Sequence, residues 1–310
     1  MRLAHILITR FSYRGKDAFK DTEGPTFEST EDPLDPARLD LRFKLFELAC
    51  LPSVLGQTEQ RFIWVLLVDR ELPEKYAARL RSLICTREDT FIRAFDPQCD
   101  LGALDWLRSY LPHGIDRVMT TNLDDDDSLP AQFVAATHAR VRALEGAATC
   151  PAISIIGARQ IVEWDLVGSA DAPLGWKAPW HRKTRVASVG LSLLCQGPEF
   201  NFCVLGLRHA LAEAYVDFSG SQAHPNVLAF RQAVIAAAHR AGADVRVWKP
   251  EDLFYDISRD VGPVLMTNHP GNDQARRLRE PKAERTIVAG PGDFPGVPID
   301  WEKARSFVET

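Results

Sequence analysis

Apolar and polar positions alternate in blocks along the first half of the chain. Residues 3–9 and 62–68 are short, apolar on both sides and rich in β-branched side chains, which is typical of strands buried on both faces of a parallel sheet. Residues 38–55 and 74–83 carry apolar side chains at helical spacing. The pattern therefore predicts strands that alternate with helices from the N-terminus onward.

The same alternation continues to residue 144. It predicts two further strands, at residues 90–95 and 117–123, and two further helices, at residues 101–111 and 131–144. A β-α series of this kind forms an open, mostly parallel sheet with helices on both faces. The predicted fold class is therefore α/β.

The second half of the chain is less regular, and neither a repeat nor a long linker divides it from the first. We therefore expect one domain. The elements predicted in this half are strands at residues 153–164, 185–194 and 244–248 and a helix at residues 228–241.

Residues 14–40 interrupt the alternation. They are polar and rich in Asp, Glu, Thr and Pro, which predicts a long loop. Both a lid and a solvated insertion fit such a loop, and loop statistics favour the insertion.

Composition narrows the class of partner. The 310 residues are 45% hydrophobic and 25% charged, which is ordinary for a globular protein with a sizeable core. The net charge of −5 argues against a general nucleic-acid binder, whose affinity comes from Lys and Arg on phosphates. A small-molecule partner is expected instead.

The six cysteines and the N-terminus indicate a reducing compartment. The cysteines are scattered, without a C-x-x-C pair or histidines at zinc-like spacing. The apolar stretch at the N-terminus is too short for a signal peptide, and no run is long enough to span a membrane. These features predict a cytoplasmic protein, with peripheral contact to the inner face of the membrane as a further expectation.

Four consecutive aspartates, residues 124–127, follow directly after the fourth predicted strand in the sequence NLDDDDSLP. Asp127 or Ser128 is expected to cap the next helix, with Pro130 in its first turn. The run therefore lies at the carboxyl edge of the predicted sheet, where open α/β folds bind ligands.

The chemistry of the aspartate run suggests a metal site. Adjacent carboxylates repel one another, and a bound cation offsets that repulsion. Asp124 and Asp126, as alternate residues, can face one cleft and supply the oxygen ligands that Mg²⁺ and Mn²⁺ prefer, often together with substrate phosphates. A helix cap in a solvated turn is the alternative. An EF-hand is excluded, because Leu129 and Ala135 stand where Gly and Glu are needed.

At this point a family resemblance becomes visible. The segment CLPSVLGQTEQRFIWVLLVD, residues 50–69, resembles the helix and second strand of GT-A glycosyltransferases, and NLDDDDSL resembles their D-x-D motif with a following Asp. With RFKLFELACLPSVLGQT, the combination is most similar to the rhamnosyltransferase family of that fold. The similarity covers residues 3–130. It implies a GT-A-like sheet and a metal-dependent enzyme that moves a sugar, such as rhamnose, from a nucleotide-diphosphate donor to an acceptor hydroxyl with inversion.

The resemblance also implies roles for residues at three strand ends. Thr9 and Arg10 match the edge that contacts the nucleotide, and Asp69 matches the aspartate that contacts the base. Asp124 and Asp126 match the D-x-D that holds Mn²⁺ or Mg²⁺ and reaches the ribose and diphosphate. The usual DDGS after the second strand is VDRELPEKY here, so the base pocket is expected to differ, and dTDP-, UDP- and GDP-sugars all remain candidate donors.

The resemblance further divides the domain into a donor-binding half, residues 1–150, and an acceptor-side half with a C-terminal tail, residues 151–310. The expected acceptor is a glycan or a lipid-linked molecule. His209 and Asp217 are the two candidates for the general base, and the sequence does not choose between them. His269 is a candidate third metal ligand, because several GT-A enzymes close the metal site with a late histidine; a loop histidine without function is the alternative.

The segment LGWKAPWHRKTR, residues 174–185, combines Trp176, Trp180 and His181 with four basic residues. Aromatic faces stack on sugars, and basic side chains pair with diphosphate or anionic lipid. The segment is interpreted either as an acceptor-facing loop or as a basic surface loop.

Two other functions compete with sugar transfer. A haloacid-dehalogenase-type phosphatase would use Asp124 as nucleophile and Asp126 as general acid, although such enzymes usually carry that motif on the first strand. A binding module without catalysis is the third hypothesis, since a fold does not settle a function. The chain lacks the P-loop, the dinucleotide-binding glycine motif, the G-x-S-x-G elbow and H-E-x-x-H.

Overall fold

The computed structural model describes residues 2–12, 32–96, 98–145, 151–165, 175–181, 186–207, 211–218 and 224–269. Most of the predicted loop at residues 14–40 and the candidate base His209 lie outside the described residues. A helix begins inside the predicted loop, at Pro36. The Asp35 side chain caps this helix by accepting the backbone N–H groups of Ala37 and Arg38.

The described residues contain ten strands. They are β1 (Leu3–Phe11), β2 (Ile63–Val68), β3 (Thr90–Ala94), β4 (Arg117–Asp124), β5 (Ile153–Gly157), β6 (Gln160–Asp165), β7 (Gly175–His181), β8 (Ser192–Gln196), β9 (Phe254–Asp256) and β10 (Val264–Asn268). Seven of them form one sheet in the order β3-β2-β1-β4-β8-β5-β9, and the other three form a small sheet in the order β10-β6-β7.

The large sheet is mostly parallel, as predicted. Strands β3, β2, β1 and β4 pair in parallel, β5 and β9 also pair in parallel, and β8 alone runs antiparallel to both of its neighbours. The chain first builds outward from β1 to β3 and then returns to place β4 on the other side of β1. This reversal creates a crevice at the carboxyl ends of β1 and β4.

Helices cover both faces of the sheet. Among the described residues, no helix is long and apolar enough to cross a bilayer. The helices are α1 (Pro36–Leu45), a π-helical turn (Phe46–Cys50), α2 (Leu51–Leu55), α3 (Glu74–Ile84), α4 (Phe133–Glu145), α5 (Ala212–Val216), α6 (Pro225–Arg240), α7 (Pro250–Leu253) and α8 (Ser258–Val261), with 3₁₀ turns at Asp105–Tyr110, Val204–Gly206 and Val245–Val247.

Five sequence predictions of secondary structure were wrong. The predicted strand at 185–194 begins only at Ser192, because a turn with Gly190 at positive φ precedes it, and the segment at 174–185 that was interpreted as a loop contains strand β7. Residues 244–248 form a 3₁₀ turn instead of a strand, because the Asp244 side chain accepts the backbone N–H of Arg246. The predicted helix at 101–111 is reduced to a 3₁₀ turn. The predicted strand at 153–164 is two strands, β5 and β6, which belong to different sheets.

Two hydrophobic clusters fill the two faces of the large sheet. Alternate residues of β1 point to opposite sides, so Leu7 and Phe11 pack with α1 and α4, while Ile6 and Ile8 pack with α5 and α6. All four side chains are fully buried. This double burial explains why β1 is apolar at consecutive positions rather than at alternate ones.

A chain of polar groups crosses the core between the sheet and α4. His5 Nδ1 lies 3.1 Å from His138 Nε2, His5 Nε2 lies 2.8 Å from Thr121 Oγ1, and Thr121 Oγ1 lies 2.6 Å from Ser192 Oγ. Burial, and secondarily the neighbouring His138, lowers the pKa of His5 well below its usual value. Burial also lowers the pKa of His138 to about 4, so both rings are neutral at neutral pH.

This pair predicts loss of stability in mild acid. Unfolded histidines bind protons below a pKa of about 6.5, whereas burial lowers the pKa of His138 to about 4 in the folded protein and lowers the pKa of His5 as well. The stability that the neutral pair contributes is therefore present above pH 6.5 and is lost as pH falls toward 4. At pH 5 the expected loss is about 1–2 kcal/mol for His138, and His5 adds a loss of the same sign.

Urea unfolding of the wild type and His138→Gln between pH 7.5 and 4.5 measures this effect. The variant is expected to lose roughly half of the pH dependence. His239→Gln, at an exposed position of α6, is the matched control. An unchanged slope in His138→Gln would contradict the role of the pair.

Candidate active site

The carboxyl ends of β1 and β4 meet at the crevice where the strand order reverses. The register places Thr9 beside Leu123 and Arg10 beside Asp124, so the aspartate run begins at the end of a central strand. This is the place at which open α/β sheets bind their ligands. The predicted location of the aspartate run is confirmed.

Arg10 compensates the first of the four aspartates. Its Nε and Nη2 atoms donate to Asp124 Oδ1 at 3.0 and 2.7 Å. Both side chains keep about a quarter to a third of their surface exposed, at 30% for Arg10 and 24% for Asp124. The pair therefore stands at the open side of the crevice, where an entering ligand can reach it.

Arg42 of α1 compensates the charge of the next two aspartates, Asp125 and Asp126. A single nitrogen, Nη1, donates to Asp125 Oδ1 at 2.8 Å and lies 2.9 Å from Asp126 Oδ2. The two carboxylates are almost fully buried, at 3% and 6% exposure. Burial alone would lower the pKa of Arg42, but the carboxylates, with Asp125 foremost, raise it above its usual value.

The carboxyl groups that share Arg42 titrate at very different pH. Burial raises the pKa of Asp125 to about 7 despite the attraction of Arg42. Burial acts in the same sense on Asp126, but Arg42 and His269 outweigh it and lower the pKa of Asp126 to about 2. Neighbouring acids that share one cation separate in this way, because ionisation of one disfavours ionisation of the other. Asp126 is therefore the charged member of the pair.

The last aspartate anchors the run to the small sheet. Asp127 Oδ1 accepts the backbone N–H of Thr267 in β10 at 2.9 Å, and Ser128 forms backbone hydrogen bonds in both directions with Leu265. Burial, with smaller contributions from Asp126 and Asp124, raises the pKa of Asp127 well above its usual value. The predicted helix cap at Asp127 or Ser128 is wrong, since α4 begins only at Phe133 and these residues bind β10 instead.

Strand β10 also delivers His269 to the site. His269 is fully buried, and its Nε2 atom lies 2.9 Å from Asp126 Oδ2. The two residues are 143 positions apart in sequence. The structure therefore brings together two of the three predicted metal ligands, Asp126 and His269, and the third, Asp124, is the last residue of β4, two positions before Asp126.

The side chains present fit a divalent cation. Two ligands at neighbouring positions of an octahedral ion, each about 2.1 Å from the metal, lie about 3 Å apart, as do Asp126 Oδ2 and His269 Nε2. Asn122 Oδ1, Asp125 Oδ2 and Ser128 Oγ are buried without a hydrogen-bond partner among the described residues, as polar atoms that await a ligand would be. No group of three His, Cys, Asp or Glu side chains is arranged around one point in the described ranges. Mg²⁺ commonly takes only one or two protein ligands and completes its shell with phosphate and water.

Two of the predicted nucleotide-binding residues are largely occupied by the protein itself. Thr9 is fully buried, and its hydroxyl accepts the indole N–H of Trp64 at 3.0 Å. Asp69 follows β2 directly and accepts the backbone N–H of Glu71 at 2.8 Å, which fixes the turn after the strand. Thr9 therefore lies in the core, one residue below the open edge that Arg10 reaches.

The candidate bases are not brought to the site in the described residues. Asp217 follows α5 and is exposed, and α5 packs on the face of the sheet opposite to α1 and α4. His209 lies outside the described residues. The choice between them, and the role of either as base, stays a prediction.

Sequence reasoning missed Arg42. A signal was present, because Arg38 and Arg42 are four residues apart on a helix whose neighbouring positions, Leu39 and Phe43, are buried. Two arginines beside the buried face of a helix that precedes an acidic run are candidates for its counter-ions.

Comparison with known proteins identifies the family. A family model described as "Putative rhamnosyl transferase" matches residues 4–199, which is more than half of the chain. The chain belongs to this family. The resemblance that the sequence motifs suggested is thereby confirmed, and the matched residues include the whole run at 124–127 but not His269. No curated protein is similar to the chain in sequence.

Solved structures that match the chain include TarS from S. aureus and a mouse xylosyltransferase. Residues 1–349 of TarS from S. aureus, in a complex with UDP-GlcNAc, are 10% identical, with a TM-score of 0.39, over 89% of this chain and 61% of that chain. Mouse xyloside xylosyltransferase 1 is 12% identical, with a TM-score of 0.32, over 82% of this chain and 84% of that chain. The chain spans less than two thirds of the TarS chains it matches. Likeness at this level adds nothing about substrates.

Proposed function

We propose that the protein is a glycosyltransferase that moves a sugar, with rhamnose as the expected one, from a nucleotide-diphosphate donor to an acceptor hydroxyl. The observation that carries the proposal is the contact of Asp126 with His269 beside Asp124, at the crevice of the sheet. Membership of the rhamnosyl transferase family supports the same reaction. The donor is a dTDP-, UDP- or GDP-sugar, and the acceptor is a glycan or lipid-linked molecule that the protein meets in the cytoplasm, at or near the membrane.

Asp126 and His269 would hold a Mn²⁺ or Mg²⁺ ion, with Asp124 as a third ligand or as a contact to the ribose. Such an ion stabilises the negative charge that grows on the diphosphate leaving group. Arg10 stands within hydrogen-bond distance of Asp124 and is accessible, so it can pair with a phosphate oxygen when the donor enters. Asp69, at the end of β2, is the proposed contact to the base.

The proposed transfer proceeds with inversion. The acceptor oxygen forms a bond to the anomeric carbon as the bond from that carbon to the diphosphate breaks, and the acceptor proton passes to a base. Asp217 and His209, in the acceptor-side half, are the candidates for that base. We propose that residues 1–150 contact the donor and that residues 151–310 contact the acceptor.

Thermal unfolding with nucleotides tests the donor site. The wild type is measured with UDP, dTDP and GDP, each with and without Mn²⁺. A ligand at a hundredfold excess over its Kd stabilises the native state by about 2.7 kcal/mol, or a rise in midpoint of about 3–6 °C for a protein of this size. One nucleotide is expected to give this shift only in the presence of Mn²⁺.

Two variants sharpen the result. Asp126→Ala is expected to lose the metal-dependent shift, whereas Asp252→Ala, which removes a half-buried carboxylate paired with Arg140 outside the site, is expected to keep it. Absence of a shift with all three nucleotides would sink the donor site. Hydrolysis of an aryl phosphate that Asp124→Asn abolishes would instead point to the phosphatase.

A further inference from the structure

Arg42 has no role in the reaction proposed above, yet it is the side chain that holds the metal-binding aspartate. Its Nη1 atom lies 2.9 Å from Asp126 Oδ2, and the same oxygen lies 2.9 Å from His269 Nε2. Asp126 Oδ2 is therefore held from two sides, by a cation on α1 and by the histidine that follows β10. Its position depends on both.

The burial of this contact distinguishes it from the exposed ion pairs. Exposed pairs such as Arg79 with Glu47 have side chains that are 42% and 35% exposed, and water screens them. Arg42 and its two partners are 17%, 3% and 6% exposed. In such a place a carboxylate that loses its partner is left as an uncompensated buried charge, so the pair resists separation.

Asp125 contributes to the same arrangement from the other side. It occupies the middle position between the two expected ligands, and its Oδ1 atom accepts from the nitrogen that also contacts Asp126. Asp125 therefore holds the guanidinium of Arg42 in place and is not an expected ligand of the metal. Asp125 and Asp126, as adjacent residues, are bridged by one nitrogen, which restricts the side-chain torsions of both.

We propose that Arg42 is a positioning residue that orients Asp126 toward His269 and so sets the affinity of the site for a divalent cation. The inference rests on the proposed metal-dependent function. Partners that hydrogen-bond to metal-ligating carboxylates typically change metal affinity by about tenfold to a hundredfold when they are removed. The proposal separates Arg42 from Arg10, whose partner Asp124 is accessible and whose contact is not shared with His269.

The test uses a charge-balanced variant. Loss of Arg42 alone would change both the orientation and the net charge of the site, and the added negative charge would by itself attract a cation. The double variant Arg42→Gln/Asp125→Asn removes one positive and one negative group together. It also avoids a buried carboxylate without a partner, which would endanger folding.

Binding of Mn²⁺ alone is followed at pH 8 by electron paramagnetic resonance of the free ion. The double variant is expected to bind Mn²⁺ about tenfold to a hundredfold more weakly than the wild type. Arg42→Lys keeps a cation on a shorter side chain that cannot contact both carboxylates fully, and its affinity is expected to lie between the two. The matched control is Arg140→Gln/Asp252→Asn, which removes an ion pair of similar burial, 17% and 15% exposed, and is expected to bind as the wild type does.

The outcomes distinguish failure of the proposed metal site from failure of the role proposed for Arg42. Failure of the wild type to bind Mn²⁺ would overturn the proposed metal site and the role of Arg42 with it. Wild-type affinity in the double variant, or in Arg42→Lys if the double variant does not fold, would overturn the role of Arg42 alone. An equal loss in the Arg140 control would assign the effect to general destabilisation and would also overturn it.

Discussion

Replacement of Asp126 by asparagine is expected to lower kcat/KM for sugar transfer about a thousandfold, which corresponds to about 4 kcal/mol of transition-state stabilisation. Asn keeps the size of the side chain and removes its charge. Asp126 is held ionised, because Arg42 and His269 outweigh burial and lower its pKa to about 2. Loss of that charge removes the strongest attraction for a cation at the leaving group.

The measurement is release of nucleoside diphosphate from the donor that passes the thermal test. His269→Gln is expected to lower the rate about a hundredfold, and the double variant only a little further, because residues that act as a unit are not additive. Asp252→Asn serves as control. Wild-type rates in Asp126→Asn, or equal rates with and without Mn²⁺, would contradict a metal at this position.

Replacement of Asp125 by asparagine is expected to stabilise the protein at alkaline pH. The folded-state pKa of Asp125 is raised to about 7, whereas an unfolded aspartate titrates near 3.9. The stability that the protonated group contributes is present below pH 4 and is lost as pH rises through 7. Asn cannot ionise, so relative to the wild type Asp125→Asn is expected to gain on the order of 2 kcal/mol between pH 5 and pH 8.

Urea unfolding at pH 5, 6, 7 and 8 gives the two free energies. Asp126→Asn is a control of opposite sign, because the pKa of Asp126 is lowered to about 2. This control is expected to be less stable than the wild type by a similar amount at both ends of the range. A constant difference between Asp125→Asn and the wild type from pH 5 to pH 8 would show that Asp125 is ionised throughout. Binding sites that need a buried charge for function commonly lower the free energy of unfolding of the protein.

The sheet could be predicted from sequence because its strands are buried on both faces. Double burial makes β2 apolar at every position and gives β1 an apolar run at Ile6, Leu7 and Ile8, a signal that needs no knowledge of the partner strand. The second half gave a weaker signal. Strands β5 and β6 are separated only by Ala158 and Arg159, where the chain leaves the large sheet for the small one, and apolar periodicity does not mark such a change.

The aspartate run was visible in the sequence, but its counter-charges were not. Asp124 and Asp126 could be located because they follow a strand. Arg42 lies 83 residues before Asp125, and such a pairing follows from tertiary packing alone. The prediction of a cap at Ser128 failed for the same reason, because β10 competes for its backbone groups from the far end of the chain.

The distance along the chain between Asp127 and Thr267 affects how the protein reaches its working form during synthesis. Asp126 contacts His269, which is 143 residues later in the sequence, and Asp127 contacts Thr267, which is 140 residues later. Both partners lie beyond residue 199, where the family match ends. The ribosome therefore releases the aspartates long before their last partners emerge. Throughout that interval, even if the central strands have paired, the acidic crevice lacks β10 along one side. Synthesis of residues 264–269 supplies the contacts that complete it.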